Sequence, residues 1–166
     1  MKKSVLTFVA VVVSLVLVEN SFAQATATQS VTLAVNTVYK IATSGNPGAL
    51  TVTTGTAGTD ALTSVSDNST TYSITQNFGN TVKITAYLDA ALAAGYTLQM
   101  NLASTQGTSV GSVDISSATS GSAMDVVTAI NRGADAGQSI GYTFSALASA
   151  GTLSSTNKTV TLTITN

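Results

Sequence analysis

The C-terminal segment of the chain alternates apolar and polar residues without interruption. Val160, Leu162 and Ile164 are separated and flanked by threonines from Thr159 to Thr165. Successive side chains of a β-strand point to opposite faces, so this pattern predicts a strand with one buried and one solvated face. We take the three aliphatic residues as a candidate core strand. A strand needs partners, and we expect the rest of the chain to supply them.

The N-terminus predicts export. Two lysines precede an apolar run from Val5 to Val18, and Ser21 and Ala23 provide small residues for cleavage before Gln24. This is the layout of a secretory signal peptide. The alternative is a membrane anchor, but the run is shorter than the roughly 20 residues that cross a bilayer. We therefore predict a signal peptide over 1–23. We expect the mature chain to lack a membrane span and to be secreted or held at the cell surface, with periplasmic transit in a Gram-negative source.

Composition limits what the mature chain can do. Residues 24–166 have the size of one domain, which we predict to be a single β-sandwich. Beyond residue 23, six aspartates and four lysine or arginine residues give a net charge near −2. So few cations argue against a nucleic-acid partner. The chain has no histidine and no cysteine, which removes the usual catalytic triads, the usual zinc ligands and any disulfide.

The aspartates are the remaining candidates for chemistry. Each lies beside a turn signal or a strand end, where turn formation and capping are the ordinary roles. Two pairs, Asp60 with Asp67 and Asp114 with Asp125, stay open as calcium ligands if the fold brings them together. No spacing demands a metal or cofactor, so we predict none. We also predict that the chain is not an enzyme.

Short strands recur along the chain and no long helix is indicated. Alternation or β-branched content predicts strands over 31–41, 49–54, 62–65, 70–76, 81–88, 96–102, 113–115, 139–146 and 160–164. We expect 70–76 and 81–88 to form a hairpin. We expect at most one or two short helical turns, one of them over 89–95 with Asp89 as its N-cap. Nine or ten strands of this kind predict an all-β, antiparallel, Ig-like sandwich with Greek-key connections.

Residues 122–132 fit two interpretations. Ala123, Val126, Val127 and Ile130 have helical spacing, and a capping box could start the helix. The segment is also rich in β-branched residues, which favours a strand. We prefer the strand.

Three segments resemble the cysteine-free pilins of the alternate chaperone–usher pathway, which are structural subunits of bacterial fimbriae. They are Ser30–Val35 after the signal peptide, the run Thr81–Asp89, and the C-terminal strand 160–164. The resemblance implies assembly by strand addition, in which the N-terminal arm of one subunit pairs with another subunit. The candidate donor strand then comprises Ala25, Ala27, Val31, Leu33 and Val35. Partners would be further copies of the chain or other surface subunits.

Other interpretations remain open. The first residues of the mature chain could simply be a disordered terminus. The domain could be a monomeric binding module for carbohydrate or a surface polymer, with exposed Tyr39, Tyr87 and Tyr96 stacking on sugar rings. Those tyrosines could equally be ordinary cross-strand contacts.

Overall fold

The computed structural model describes residues 25–166, so the predicted signal peptide and Gln24 lie outside the described residues. The chain divides into two units, Met1–Val35 and Asn36–Asn166. The described part of the first unit, residues 25–35, contains no regular secondary structure. All strands of the described chain belong to the second unit.

Two antiparallel sheets build the second unit. The nine strands are β1 (Tyr39–Thr43), β2 (Val65–Gln76), β3 (Val82–Leu88), β4 (Tyr96–Leu102), β5 (Thr108–Ser109), β6 (Val113–Asp114), β7 (Met124–Ile130), β8 (Gly133–Ala146) and β9 (Val160–Thr165). One sheet has the order β1-β2-β8-β4-β6 and the other has the order β5-β7-β3-β9. The predicted all-β sandwich is therefore confirmed.

The connections alternate between the sheets. Among the described strands, β1 and β2 are the only consecutive pair that lie side by side, and every later connection passes to the opposite sheet. Such crossings are typical of the Greek-key connections expected from the sequence. Because neighbours in sequence face each other across the core, strand pairing depends almost entirely on residues distant in the chain.

The core lies between the sheets and combines aliphatic side chains with three tyrosines, Tyr72, Tyr96 and Tyr142. Alternate residues of β3 and β4 are buried, as the period-2 pattern requires, and Thr85 of β3 is buried in addition. Ile140 and Tyr142 of β8 are buried as predicted, and Phe144 is half-buried against the same cluster. The largest fully buried apolar side chains come from both sheets: Tyr72, Ile84, Leu88, Met100, Leu102, Ile115, Val126, Val127, Ile130 and Ile140.

The predicted hairpin between 70–76 and 81–88 is wrong, although both strands form. β2 pairs with β1 and β8, whereas β3 pairs with β7 and β9 in the other sheet. Their apolar faces meet across the core, and alternation cannot distinguish that arrangement from side-by-side pairing. The buried side chain of Gln76, at the end of β2, bonds to the end of β7 in the other sheet. It accepts from the Phe78 N–H at 2.8 Å and donates to the Ile130 carbonyl at 3.3 Å.

The predicted first strand, 31–41, is wrong over residues 31–38. The strand begins at Tyr39 and ends at Thr43, and these are the residues that pair with β2. Alternation is necessary for a half-buried strand, but a strand also needs a hydrogen-bonded partner. The same applies to residues 49–54, which form no strand; Gly55 and Leu62 nearby form only an isolated bridge.

The helical turn predicted over 89–95 does not form. Asp89 instead accepts a hydrogen bond from the adjacent Ala90 N–H at 2.9 Å. The one helical turn in the described residues is a 3-10 turn at Ala148–Ala150. Over 122–132 the structure has β7, so the strand interpretation is confirmed there. Predicted turns around Asp67 and Asp135 are irregularities inside β2 and β8 instead.

Candidate functional site

The C-terminal strand β9 is an edge strand. Among the described strands it pairs with β3 alone. The Asp89 N–H donates to the Thr159 carbonyl at 3.0 Å, and hydrogen-bonded residues alternate in an antiparallel pair. The threonines of β9 therefore bond to β3. The backbone groups of Val160, Leu162 and Ile164 point to the free edge, while their half-buried side chains pack against the core.

β1 is the matching edge of the other sheet. Hydrogen bonds to β2 at Val38 and Ser44 set the alternation, so the backbone groups of Tyr39 and Ile41 point away from β2. These two residues also pack half-buried against the core. Cα atoms of β1 and β9 come within 8 Å of each other. We call Tyr39, Ile41 and the three β9 aliphatics together the lateral seam.

The lateral seam combines two properties that strand addition requires. Among residues 25–166 no strand pairs with the backbone donors and acceptors along its edge, and its apolar side chains are incompletely covered. Proteins usually protect such edges with charges, prolines or covering segments. Of the charged residues in the described chain, β1 carries Lys40 and β9 carries none.

The candidate donor residues lie in the arm, which we define as Ala25–Val35. All of these residues are exposed and none is in a strand. Val31 is 71% exposed, and Leu33 and Val35 are each 87% exposed. Large aliphatic side chains exposed at alternate positions form one continuous apolar face if the segment becomes extended. Ala25 and Ala27 would add only methyl groups to that face.

Asn77 holds the first residues of the second unit. The side chain of Asn77 donates to the Asn36 carbonyl at 2.9 Å and accepts from the Val38 N–H at 2.6 Å. These two bonds hold the backbone immediately before β1. Sequence reasoning missed Asn77, because its partners lie about forty residues earlier in the chain.

The three tyrosines proposed as sugar platforms are not exposed, and that expectation is wrong. Tyr96 is buried, stacks on Phe144 with ring centroids 6.4 Å apart, and donates to the Ala150 carbonyl at 3.1 Å. Tyr39 is half-buried against Phe78, with centroids 5.7 Å apart. Tyr87 is half-buried beside the core. The three rings therefore pack within the sandwich and do not form an exposed aromatic surface.

The proposed calcium ligands have protein partners. Asp60 accepts from the Ser149 N–H and hydroxyl, which ties the segment before β2 to the 3-10 turn. Asp125 forms an ion pair with Lys83 at 2.8 Å. In the region that the structure describes, acidic residues do not gather in a group of three or more that could hold a metal.

Asp135 is a structural residue that sequence reasoning misplaced in a turn. It is 2% exposed, and its carboxylate accepts four hydrogen bonds from Ser104, Thr105 and Gln106 at 2.8–3.2 Å. Burial acts to raise its pKa, but these hydrogen bonds outweigh it and lower the pKa below the ordinary value. It therefore fixes the loop after β4.

Comparison of the chain with protein-family models, with curated proteins and with solved structures found no match. Over residues 25–166, no helix is both long and apolar enough to cross a membrane. Fold and site define the chain as a cysteine-free, two-sheet β-sandwich protein. Within residues 25–166 its two sheets end in the edge strands β1 and β9, and residues 25–35 form an exposed alternating arm.

Proposed function

We propose that this chain is an exported, non-catalytic structural subunit that associates with other copies by strand addition. In this proposal the arm of one copy becomes a strand and pairs with the lateral seam of another. The observation that carries the proposal is the match between an exposed apolar alternation at residues 31, 33 and 35 and an uncovered edge whose apolar residues also alternate.

The β9 edge suits an incoming strand better than the β1 edge, because β1 carries the charged residue Lys40 and β9 carries none. A strand beside β9 would bond to the free groups of Val160, Leu162 and Ile164. Val31, Leu33 and Val35 would then enter the space between the sheets, next to those half-buried side chains. Main-chain bonds would supply affinity and the alternate side chains would supply register.

Magnitudes indicate that both kinds of contact are needed. Burying the three large side chains of the arm contributes at most about 5–9 kcal/mol. Ordering a six-residue backbone costs about 6–12 kcal/mol. These two terms nearly cancel, so the main-chain hydrogen bonds decide whether copies associate. Removing the apolar face of the arm should consequently abolish association rather than weaken it slightly.

The test compares the association of purified protein from residue 24 onward with that of two variants. The first variant replaces Val31, Leu33 and Val35 with serine. The matched control replaces Thr32 with serine and Ala34 with serine, which changes the opposite face of the same segment. Sedimentation velocity and negative-stain imaging measure oligomers or filaments.

We expect the parent protein and the control to form concentration-dependent oligomers, and the triple variant to remain monomeric. All of these residues are exposed, so at a concentration low enough to keep every protein monomeric the three should have the same urea denaturation midpoint. A parent protein that stays monomeric at high concentration, or a triple variant that assembles like the parent, would show the proposal to be wrong.

A further inference from the structure

The outer face of the five-stranded sheet contains a groove of about 460 Å³, which lies within the size range of small-ligand sites. It crosses β2, β8 and β4 and has Gly141 of β8 among its lining residues. Asp67 and Asn68 lie on the β2 side, and Gln99 and Asn101 lie on the β4 side. It is independent of the lateral seam, which lies at the edges of the sheets.

The two amides on the β4 side each have one serine partner. Ser112 donates its hydroxyl to the Gln99 side-chain oxygen at 3.2 Å, and Ser109 donates to the Asn101 side-chain oxygen at 3.3 Å. Because the oxygens accept these bonds, each NH₂ group keeps its two donors for other partners. The β4 side therefore presents hydrogen-bond donors.

The β2 side presents hydroxyl groups. Ser66 of β2 and Thr143 of β8 lie in register on the face of the sheet that contains Gly141, and their hydroxyls bond to each other at 2.8 Å. Asp67 pairs with Tyr142, whose side chain lies in the core, so the Asp67 carboxylate points away from the groove. Each hydroxyl keeps further hydrogen-bonding capacity. A ligand in the groove would thus meet donors on one side and acceptors on the other.

We propose that this groove binds a neutral saccharide chain. A sugar hydroxyl both donates and accepts, so neighbouring hydroxyls can bond to an amide on one side and to the Ser66 or Thr143 hydroxyl on the other. The described residues that line the groove include no lysine or arginine, which disfavours an anionic polymer. An apolar ligand would leave the amide donors unpaired. A peptide strand would find the backbone groups between β2, β8 and β4 already bonded within the sheet.

Gly141 leaves the floor of the groove empty. A Cβ built there lies 3.7 Å from the Asn101 carbonyl oxygen and 4.0 Å from its Cβ, which are ordinary van der Waals distances. Its φ is not in the left-handed region, so the backbone accepts a larger residue. Gly141→Val should therefore preserve the fold while filling the site.

The experiment titrates purified protein from residue 24 onward with neutral hexaoses: maltohexaose, cellohexaose, mannohexaose, xylohexaose and chitohexaose. Hexagalacturonate serves as the anionic comparison. Backbone amide chemical shifts report binding and its location. Gly141→Val tests the shape of the groove and Asn101→Ala tests its donors. Thr75→Val, on the same outer face but away from the groove, is the matched control.

We expect at least one neutral hexaose to shift the amides of Gly141 and its neighbours. Asn101→Ala should weaken that binding about tenfold, as expected for one lost hydrogen bond. Gly141→Val should abolish it, and Thr75→Val should leave it unchanged. The proposal is overturned if every neutral hexaose leaves the groove amides unshifted, if hexagalacturonate is the preferred ligand, or if Gly141→Val binds like the parent.

Discussion

Replacement of Asp135 tests how a chain without disulfides holds a long loop in place. The carboxylate accepts hydrogen bonds from the Ser104 and Thr105 hydroxyls and from the Thr105 and Gln106 N–H groups. A hydrogen bond to a charged group contributes about 1.5–3 kcal/mol, although water can replace part of this at Thr105, which is exposed. We expect Asp135→Ala to lower the free energy of unfolding by about 3–5 kcal/mol.

Asp135→Asn separates the shape of this contact from its charge. One carboxylate oxygen of Asp135 accepts three of the four hydrogen bonds, and an amide oxygen at that position could keep them. The amide NH₂ could then donate to the Thr105 hydroxyl, which reverses the fourth bond. Only the charge assistance is lost, so we expect a decrease of about 1–2 kcal/mol.

Because the pKa of Asp135 is lowered in the folded state, the difference in free energy of unfolding between the parent and Asp135→Asn depends on pH. A carboxyl group with a depressed folded-state pKa stabilises the fold above its unfolded pKa of about 3.9. The stabilisation decreases as the pH falls through the folded-state pKa. Asn does not titrate, so the difference in stability between the parent and Asp135→Asn should be constant near neutrality and should narrow below about pH 4.

Urea denaturation followed by tyrosine fluorescence measures all three proteins, because the chain has five tyrosines and no tryptophan. Parallel measurements at pH 7 and at several values below 4 give the pH dependence. If Asp135→Ala is within about 1 kcal/mol of the parent at pH 7, the four-bond contact does not hold the loop as we infer. A difference between the parent and Asp135→Asn that widens in acid would contradict the sign of the pKa shift.

Three further predictions concern the sandwich and its edge. Ile84→Ala, at a fully buried position, should lower the free energy of unfolding by about 2–5 kcal/mol in urea denaturation, and a loss below 1 kcal/mol would contradict its place in the core. Breaking the Lys83–Asp125 pair by Asp125→Ala should cost less than about 1 kcal/mol in the same assay, because both side chains are 42% exposed; a larger loss would contradict this. Leu162→Pro removes an N–H that points to the free edge and should stop oligomer formation in sedimentation velocity while the monomer stays folded. Thr163→Pro removes an N–H bonded to β3 and should unfold the strand; equal stability of the two proline variants would contradict the assigned edge.

The sequence predicts strands more reliably than it predicts their partners. Alternation correctly indicated β3, β4 and β9, because the face that a side chain takes is a local property. The same alternation suggested that β2 and β3 pair, whereas they lie in opposite sheets. Both strands direct apolar side chains to one core from different sides, so their local patterns are identical. Long-range packing chooses between the two arrangements.

Residues 31–38 show the converse limitation. Their alternation resembles that of β9, but in the described chain no strand pairs with them and they form none. Alternation shows that a segment can form a strand. The strand forms only when another strand pairs with it. The sequence therefore indicated the arm as a candidate donor, but it could not indicate the lateral seam. Whether a strand lies at an edge depends on the order of the sheet.

Side-chain contacts across the fold were the least predictable features. The hydrogen-bond partners of Asp135 lie about thirty residues earlier in the chain. The turn signal beside Asp135 suggested a local role instead. The polar residues of the groove around Gly141 form one surface only because β2, β8 and β4 are neighbours in the sheet. That strand order is not visible in the sequence. The polar face of β4 was visible in the sequence, but nothing local distinguished it from an ordinary solvated face.

A disulfide cross-linking measurement tests the strand-addition proposal most directly, because the chain has no native cysteine. Ala34→Cys, on the polar face of the arm, is mixed with a second protein that carries Thr163→Cys on the polar face of β9. Thr161→Cys covers the adjacent register, and Thr75→Cys, in the interior strand β2, is the control. Each mixture equilibrates in a glutathione redox buffer before non-reducing electrophoresis.

Side chains directly opposite each other on paired strands have Cβ atoms about 4.5–5.5 Å apart, which is close enough for a disulfide after small adjustments. We predict a disulfide-linked heterodimer of Ala34→Cys with Thr163→Cys or Thr161→Cys, and none with Thr75→Cys. Equal cross-linking to all three partners, or to none of them while the parent protein still assembles, would contradict pairing of the arm with β9.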